Sequence, residues 1–234
     1  MSDSDNLTTK LKTSPGLYLI AGVKGVGKTA FVSWLIDLCR DIDDKQALYF
    51  YSKNNYNGLL SDSANVKTIE ISELPLQTGH MYLEAQWAKS DHGLSAVVID
   101  DYRGLLRTEE FRGIELSRNE KILYLLTRLK TLSEVFDVPV IITGNVDDDY
   151  IYGRTDKHPL VTDIPDHEYV RSFADGIVLM HREEMFVRDS EMRGITEFKL
   201  IDPDDMSIND YRMCFVPETK SYTALSVTIH GIID

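Results

Sequence analysis

The chain has 234 residues, of which 25 are Lys or Arg and 38 are Asp or Glu, giving a formal charge of −13 with 43% hydrophobic residues. This composition suits one well-buried globular domain, and its acidic balance disfavours non-specific attachment to nucleic acid, which depends on Lys/Arg clusters releasing counterions from phosphates. No apolar run reaches the ~20 residues of a bilayer span, the polar N-terminus lacks the apolar core of a signal peptide, and Cys39 and Cys214 have neither metal nor disulfide spacing; the reading is a cytoplasmic protein with reduced thiols.

No repeat or linker divides the chain, so residues 1–15 read as a lead-in and 16–234 as a single domain. Leu17 to Ala21 form a short apolar run ending in a glycine loop, after which Phe31, Trp34, Leu35 and Leu38 recur at helical spacing: strand, loop, helix. Segments 47–51 and 66–71 read as further strands. Leu83 and Trp87 share a helical face before Ala96 to Ile99, a continuous apolar run of the kind found in buried parallel strands. The clearest helix carries Ile122, Leu125, Leu126, Leu129, Leu132, Ser133 and Phe136 on one stripe, stops at Val138-Pro139 and hands over to strand 140–142. From Asn145 to Arg171 the chain reads as a long loop. Beyond it, segments 176–180, 195–201, 211–216 and 222–227 are separated by turns, which predicts antiparallel strands extending the sheet. Strands alternating with helices before that point predict an α/β fold with a parallel sheet covered on both faces.

One motif carries chemistry. Gly22-Val23-Lys24-Gly25-Val26-Gly27-Lys28-Thr29 matches the G-x-x-x-x-G-K-[ST] pattern of a phosphate-binding P-loop, and it lies between an apolar strand and an amphipathic helix, as such a loop requires. The glycines permit close backbone approach, so that amides from Gly22 through Ala30 converge on a nucleotide phosphate at the helix N-terminus. Lys28 neutralises the β/γ oxygens and Thr29 offers a hydroxyl to Mg²⁺. Asp100 ends the apolar strand 96–99, where P-loop proteins place a carboxylate that holds Mg²⁺. Asp101 beside it is a candidate for orienting the attacking water. Asn145, at the end of another strand, is a candidate γ-phosphate sensor. A nucleotide and Mg²⁺ are therefore the expected ligands of this motif.

Together with their order, these residues resemble the C-terminal, RecA-like ATPase domain of the DnaB-type replicative helicases. Carrying the resemblance are Pro15-Gly16, Gly27-Lys28-Thr29-Ala30-Phe31, Asp100, Leu129-Lys130, Val138-Pro139-Val140, the segment Lys157 to Asp163, and Ala174-Asp175 leading into a hydrophobic strand and His181-Arg182. The resemblance implies ATP binding and a role in DNA replication, with either a homo-oligomeric ring or a replication protein as partner. Departures from the family pattern accompany it. Where the family places a catalytic Glu after the second strand, Lys53 stands here; where it places a trans-acting Lys-x-Arg pair, this chain has Asp202-Pro203-Asp204. The segment that supplies an Arg to the DNA backbone in the family reads Asp163-Ile164-Pro165-Asp166-His167, and Asp147 to Asp149 precede it. These departures imply weakened hydrolysis and disfavour single-stranded DNA as a ligand. A non-motor module, gated by nucleotide and acting on a replication partner, is the alternative implication.

The remaining candidates carry less. The six histidines show no H-x-H or H-x-x-x-H spacing and so predict no metal site beyond that of the nucleotide. Tyr150 and Tyr152 read as loop anchors, because the neighbouring aspartates oppose a base-stacking role. Arg103, Arg107, Arg112 and Arg118, interleaved with Glu109, Glu110 and Glu115, read as a solvated mixed-charge segment.

Overall fold

The computed structural model describes residues 3–40, 45–52, 65–71, 77–107, 111, 113 and 115–225. Among these described residues, nine strands form one mixed sheet in the order β3-β2-β4-β5-β1-β6-β7-β8-β9. Strands β1 (Gly16–Gly22), β2 (Gln46–Tyr51), β3 (Val66–Glu70), β4 (Leu94–Ile99), β5 (Pro139–Asn145) and β6 (Gly176–His181) run parallel, whereas β7 (Ile195–Ile201), β8 (Ile208–Val216) and β9 (Ser221–Ala224) are added antiparallel. This is the predicted α/β architecture. Every residue of β1 is buried, as befits the central strand of a sheet covered on both faces.

Helices α1 (Asp3–Thr13), α2 (Lys28–Arg40), α3 (Gln77–Asp91) and α4 (Arg118–Phe136) provide most of the cover. Within the stretch read as a lead-in, Leu7 and Leu11 of α1 are completely buried in the main core. The α4 stripe is the predicted one residue for residue. Ser117 and Glu120 form a capping box at its start, and Asp137 ends it in the left-handed conformation, with φ 57°, before Pro139 forces an extended chain. Ser133 on that stripe accepts a hydrogen bond from the Gly16 amide and donates one to the Val138 carbonyl, both 2.6 Å long, so a single hydroxyl fastens α4 to the starts of β1 and β5. Lys130 pairs with Asp175, which in turn accepts from the Leu17 amide.

One reading is completed by the structure and one is corrected. In α3 the face turned inward carries Gln77, Thr78, Met81, Ala85 and Ala88, whereas Leu83 and Trp87 are 48% and 54% exposed. Small residues let this helix lie close to its neighbours, and the face that Leu83 and Trp87 share is the outer one. The stretch from Asn145 to Arg171 is also not one long loop: it holds α5 (Asp148–Tyr152), a 3₁₀ turn at Val161–Asp163 and the start of α6 (His167–Phe173). Asp147 caps α5, its carboxylate accepting from the Asp149 amide. Asp163 is buried, held by two bonds from the Arg154 guanidinium and one from the Leu160 amide. These aspartates are consumed by local structure.

The antiparallel strands also serve the loop ahead of α2. Phe31 packs against Phe198 of β7 at 4.6 Å and edge-on against Tyr222 of β9 at 5.5 Å. The Tyr222 hydroxyl, whose pKa burial pushes up to about 12, stands 3.1 Å from where a side chain on Gly27 would begin. Among the described residues no helix is long and apolar enough to cross a membrane.

Candidate nucleotide-binding site

The parallel strands end together on one side of the sheet, and the sequence-predicted residues meet there. Gly22 closes β1, Asp100 follows β4 and Asn145 closes β5 as the register partner of Gly22. The carboxyl ends of such strands are where open α/β sheets bind ligands.

The glycine loop has the backbone that its sequence demands. Gly25 and Gly27 adopt φ of 86° and 106°, which L-residues rarely tolerate. At Gly22 a side chain would start 2.8 Å from the Met180 carbonyl oxygen of β6. Val23 and Val26 point inward as buried anchors, while Lys24 and Gly25 are exposed. The helix begins at Lys28, so the amides of Lys28, Thr29 and Ala30 belong to a first turn whose N–H groups have no intrahelical acceptor.

Lys28 donates to the carbonyl oxygens of Gly22 and Val23, 2.9 Å each, folding its ammonium back across the loop. Burial pushes its pKa down to about 8, against the raising influence of Asp100, Asp148 and Asp101. Beneath the loop Asp100 is 2% exposed. Its Oδ2 accepts from the hydroxyls of Thr29 and Tyr49, each at 2.9 Å, and its Oδ1 accepts from Thr143 at 2.6 Å. Thr143 also accepts from the Asp101 amide at 2.8 Å, linking the two aspartates through one hydroxyl. Asp101 has φ 65°, a conformation uncommon outside glycine.

Three residues escaped sequence reasoning. Tyr49 and Thr143 hold Asp100, and Asp148, at the start of α5, adds a carboxylate close enough to act on Lys28. The Asp148 Oδ1 is buried without a hydrogen-bond partner. The one available signal was the position of Thr143 at the end of a strand neighbouring β4. Three carboxylates around one ammonium leave the site short of positive charge, and the Thr29 hydroxyl with the Asp100 carboxylate is a hard-oxygen pair of the kind Mg²⁺ prefers. The residues present therefore fit a magnesium nucleotide.

The other candidates lie apart from this cluster. Arg103 and Arg118 converge on Asp166, and Arg103 also donates to the Pro165 carbonyl at 3.0 Å. Asp202 and Asp204 shape the turn between β7 and β8, the Asp204 amide donating to the Asp202 carboxylate at 3.0 Å. Lys53, Glu109, Glu110 and Arg112 lie outside the described residues.

The chain is 25% identical over 243 aligned positions to the replicative DNA helicase DnaB of Pasteurella multocida, covering 90% of this chain and 51% of that protein. It is 26% identical over 140 positions to that of Geobacillus stearothermophilus, covering 58% and 29%. The chain thus spans about half the length of the first of these relatives. Its fold is similar to a solved structure of an isolated ATPase domain, with a TM-score of 0.75 at 18% identity over 96% of this chain and 90% of that one. It is also similar to a DnaB-like replicative helicase studied for its interactions with primase, with a TM-score of 0.73 at 17% identity over 91% and 58%. Residues 59–223, well over half of the chain, match the family described as the DnaB-like helicase C terminal domain, and the chain belongs to that family.

Proposed function

We propose that this chain, with α1 packed into its core, acts as one RecA-like ATPase domain that binds ATP with Mg²⁺ in the loop Gly22–Thr29 and turns it over slowly, in the context of DNA replication. The observation that carries this reading is the hydrogen bond from Thr29 to the buried Asp100, 2.9 Å long, directly beneath a glycine loop that Lys28 spans. In the bound state Lys28 exchanges the Gly22 and Val23 carbonyls for β/γ-phosphate oxygens. Thr29 and Asp100 hold Mg²⁺, which supplies charge neutralisation on the triphosphate. Asp101 orients the attacking water and Asn145 senses the γ-phosphate. Tyr49 and Thr143 keep the Asp100 carboxylate aimed at the metal.

Slow turnover follows from what stands at the other family positions. Lys53 cannot orient water as a carboxylate does, and Asp202 and Asp204 would repel a neighbouring subunit's phosphate. Loss of an arginine finger costs roughly 10³–10⁵ in rate. The family's ring assembly makes a homo-oligomer the expected state of the motor reading. A second reading, favoured by the acidic turn at Asp202–Asp204, is a nucleotide-gated module whose ATP-bound form is read by a replication partner and which performs no work on DNA.

ATP turnover measured with and without single-stranded DNA, beside MgATP affinity, tests both. Saturable MgATP binding with slow turnover that single-stranded DNA does not stimulate is the expected result. Rapid, DNA-stimulated turnover would refute the reading of weakened catalysis, and its loss in Asp101→Asn would establish a motor. MgATP binding with no turnover at all selects the gated module.

A further inference from the structure

His158, His181 and Glu197 lie far apart in sequence, yet the fold gathers them. In the β6–β7 ladder His181 and Glu197 are register partners, so their side chains stand side by side on one face of the sheet. His158, just ahead of Pro159, is laid against both: its ring is centred 4.1 Å from that of His181, and its Nε2 is 2.9 Å from Glu197 Oε2. One ligand atom from each of the three residues lies within 4.8 Å of the others.

We propose that these three side chains bind a divalent transition-metal ion of the Zn²⁺ class, a site separate from that of the nucleotide. Bonds of ~2.0–2.1 Å in a tetrahedral arrangement put ligand atoms about 3.3 Å apart, so the observed spacing needs only side-chain adjustment. Two imidazoles and one carboxylate leave a fourth position for water, and nitrogen ligands select Zn²⁺, Co²⁺ or Ni²⁺ over Mg²⁺.

The surroundings are those of a supported ligand set. Asp156 Oδ1 holds His158 Nδ1 at 2.6 Å, which turns Nε2 toward the site, a carboxylate–histidine pairing typical of metal centres. Arg212 occupies the other oxygen of Glu197, Oε1, through Nε at 2.8 Å and Nη2 at 2.7 Å, leaving Oε2 for the ion. His181 is 5% exposed and stacks nearly parallel on Phe186, 6° between planes, so its ring is fixed and shielded from water. Glu183 and Lys199 are the further charged groups acting on the cluster. An ion here ties the connection that follows α5 to β6 and β7, and so steadies the segment that presents Asp148 to Lys28. The competing description is a plain His158–Glu197–Arg212 ion pair, with a proton where the metal would sit.

The test uses the full chain, stripped of metal and free of nucleotide. Co²⁺ titration is expected to give one equivalent of visible d–d absorption per chain, displaced by Zn²⁺ and unaffected by millimolar Mg²⁺. Zn²⁺ at about 100 times its Kd should raise the thermal midpoint by several degrees. His158→Arg keeps a cation facing Glu197, and His181→Phe keeps the stack on Phe186. Both should fold, with apo midpoints near that of the parent, and lose the Co²⁺ signal. Absence of a stoichiometric Co²⁺ signal in the parent chain would overturn the proposal, as would an undiminished signal in both variants.

Discussion

Replacing Lys28 by methionine separates what the loop does for binding from what it does for folding. The substitution keeps the unbranched apolar stem but removes the ammonium. In the ligand-free protein burial holds the Lys28 pKa at about 8, against an ordinary value near ~10.4. At ~1.36 kcal/mol for each tenfold change in acidity, this charge costs the folded state roughly 3 kcal/mol at neutral pH. The Lys28→Met variant would instead take one of two donors from each of the carbonyls of Gly22 and Val23, which keep the amides of Val146 and Val26 at 3.3 Å, a loss of no more than ~1 kcal/mol each. The two effects oppose and largely offset each other, so in the absence of nucleotide the variant should fold with a thermal midpoint within a few degrees of the parent's. MgATP separates variant from parent. At 100 times its Kd it should stabilise the parent chain by ~2.7 kcal/mol and leave Lys28→Met unmoved. The pH dependence has a definite sign: between about pH 8 and the ordinary lysine value of ~10.4, the unfolded chain holds the Lys28 proton that the folded chain has released. This residue's contribution to stability therefore rises with pH across that window, and Lys28→Met should lack the rise. Differential scanning calorimetry with and without MgATP, repeated at about pH 7 and about pH 9.5, reads all of this. A variant still stabilised by MgATP, or one that keeps the parent's rise in stability with pH, would refute the reasoning.

Three further perturbations bear on other links of the account. Asp100→Asn offers one acceptor oxygen where three hydroxyls now donate; a loss of about 1–3 kcal/mol in urea unfolding is expected, and an unchanged midpoint would show that the network contributes little. Leu11→Ala removes a fully buried side chain of α1 and should cost ~2–5 kcal/mol, whereas a neutral result would mean that α1 is not part of the folded core. Asp137→Gly places glycine at a left-handed helix cap and should stabilise the protein by roughly 0.5–1 kcal/mol in the same assay; destabilisation would show that the Asp137 side chain makes a contact worth more than the relieved strain.

What could be read from the chain in advance follows from where the information resides. The phosphate loop was legible because backbone with positive φ demands glycine, and the demand leaves its trace at Gly25 and Gly27. The α4 helix was legible because a strongly apolar stripe repeats at helical spacing and ends at a proline. Helix α3 hid its inward face, since Ala85 and Ala88 bury little apolar area and Trp87 drew the eye outward. The short helix α5 and the α6 turn have too few residues to show periodicity. At the site, Lys28, Thr29 and Asp100 came from a linear motif and a strand end. Tyr49, Thr143 and Asp148 came from three separate segments and meet only through the order of β2, β4 and β5 in the sheet. The His158, His181 and Glu197 cluster was invisible for the same reason, because an antiparallel ladder and a returning connection create it.

The central claim is that the loop Gly22–Thr29 grips a magnesium triphosphate. Isothermal titration of the full chain with ATP, in the presence of Mg²⁺ and again in EDTA, tests it most directly. The account predicts one site per chain, weakened at least tenfold by removing Mg²⁺ and abolished by Gly27→Ala, whose added methyl would meet the Tyr222 hydroxyl at 3.1 Å on a backbone of φ 106°. No saturable binding by the parent chain, or equal binding by Gly27→Ala, would contradict it.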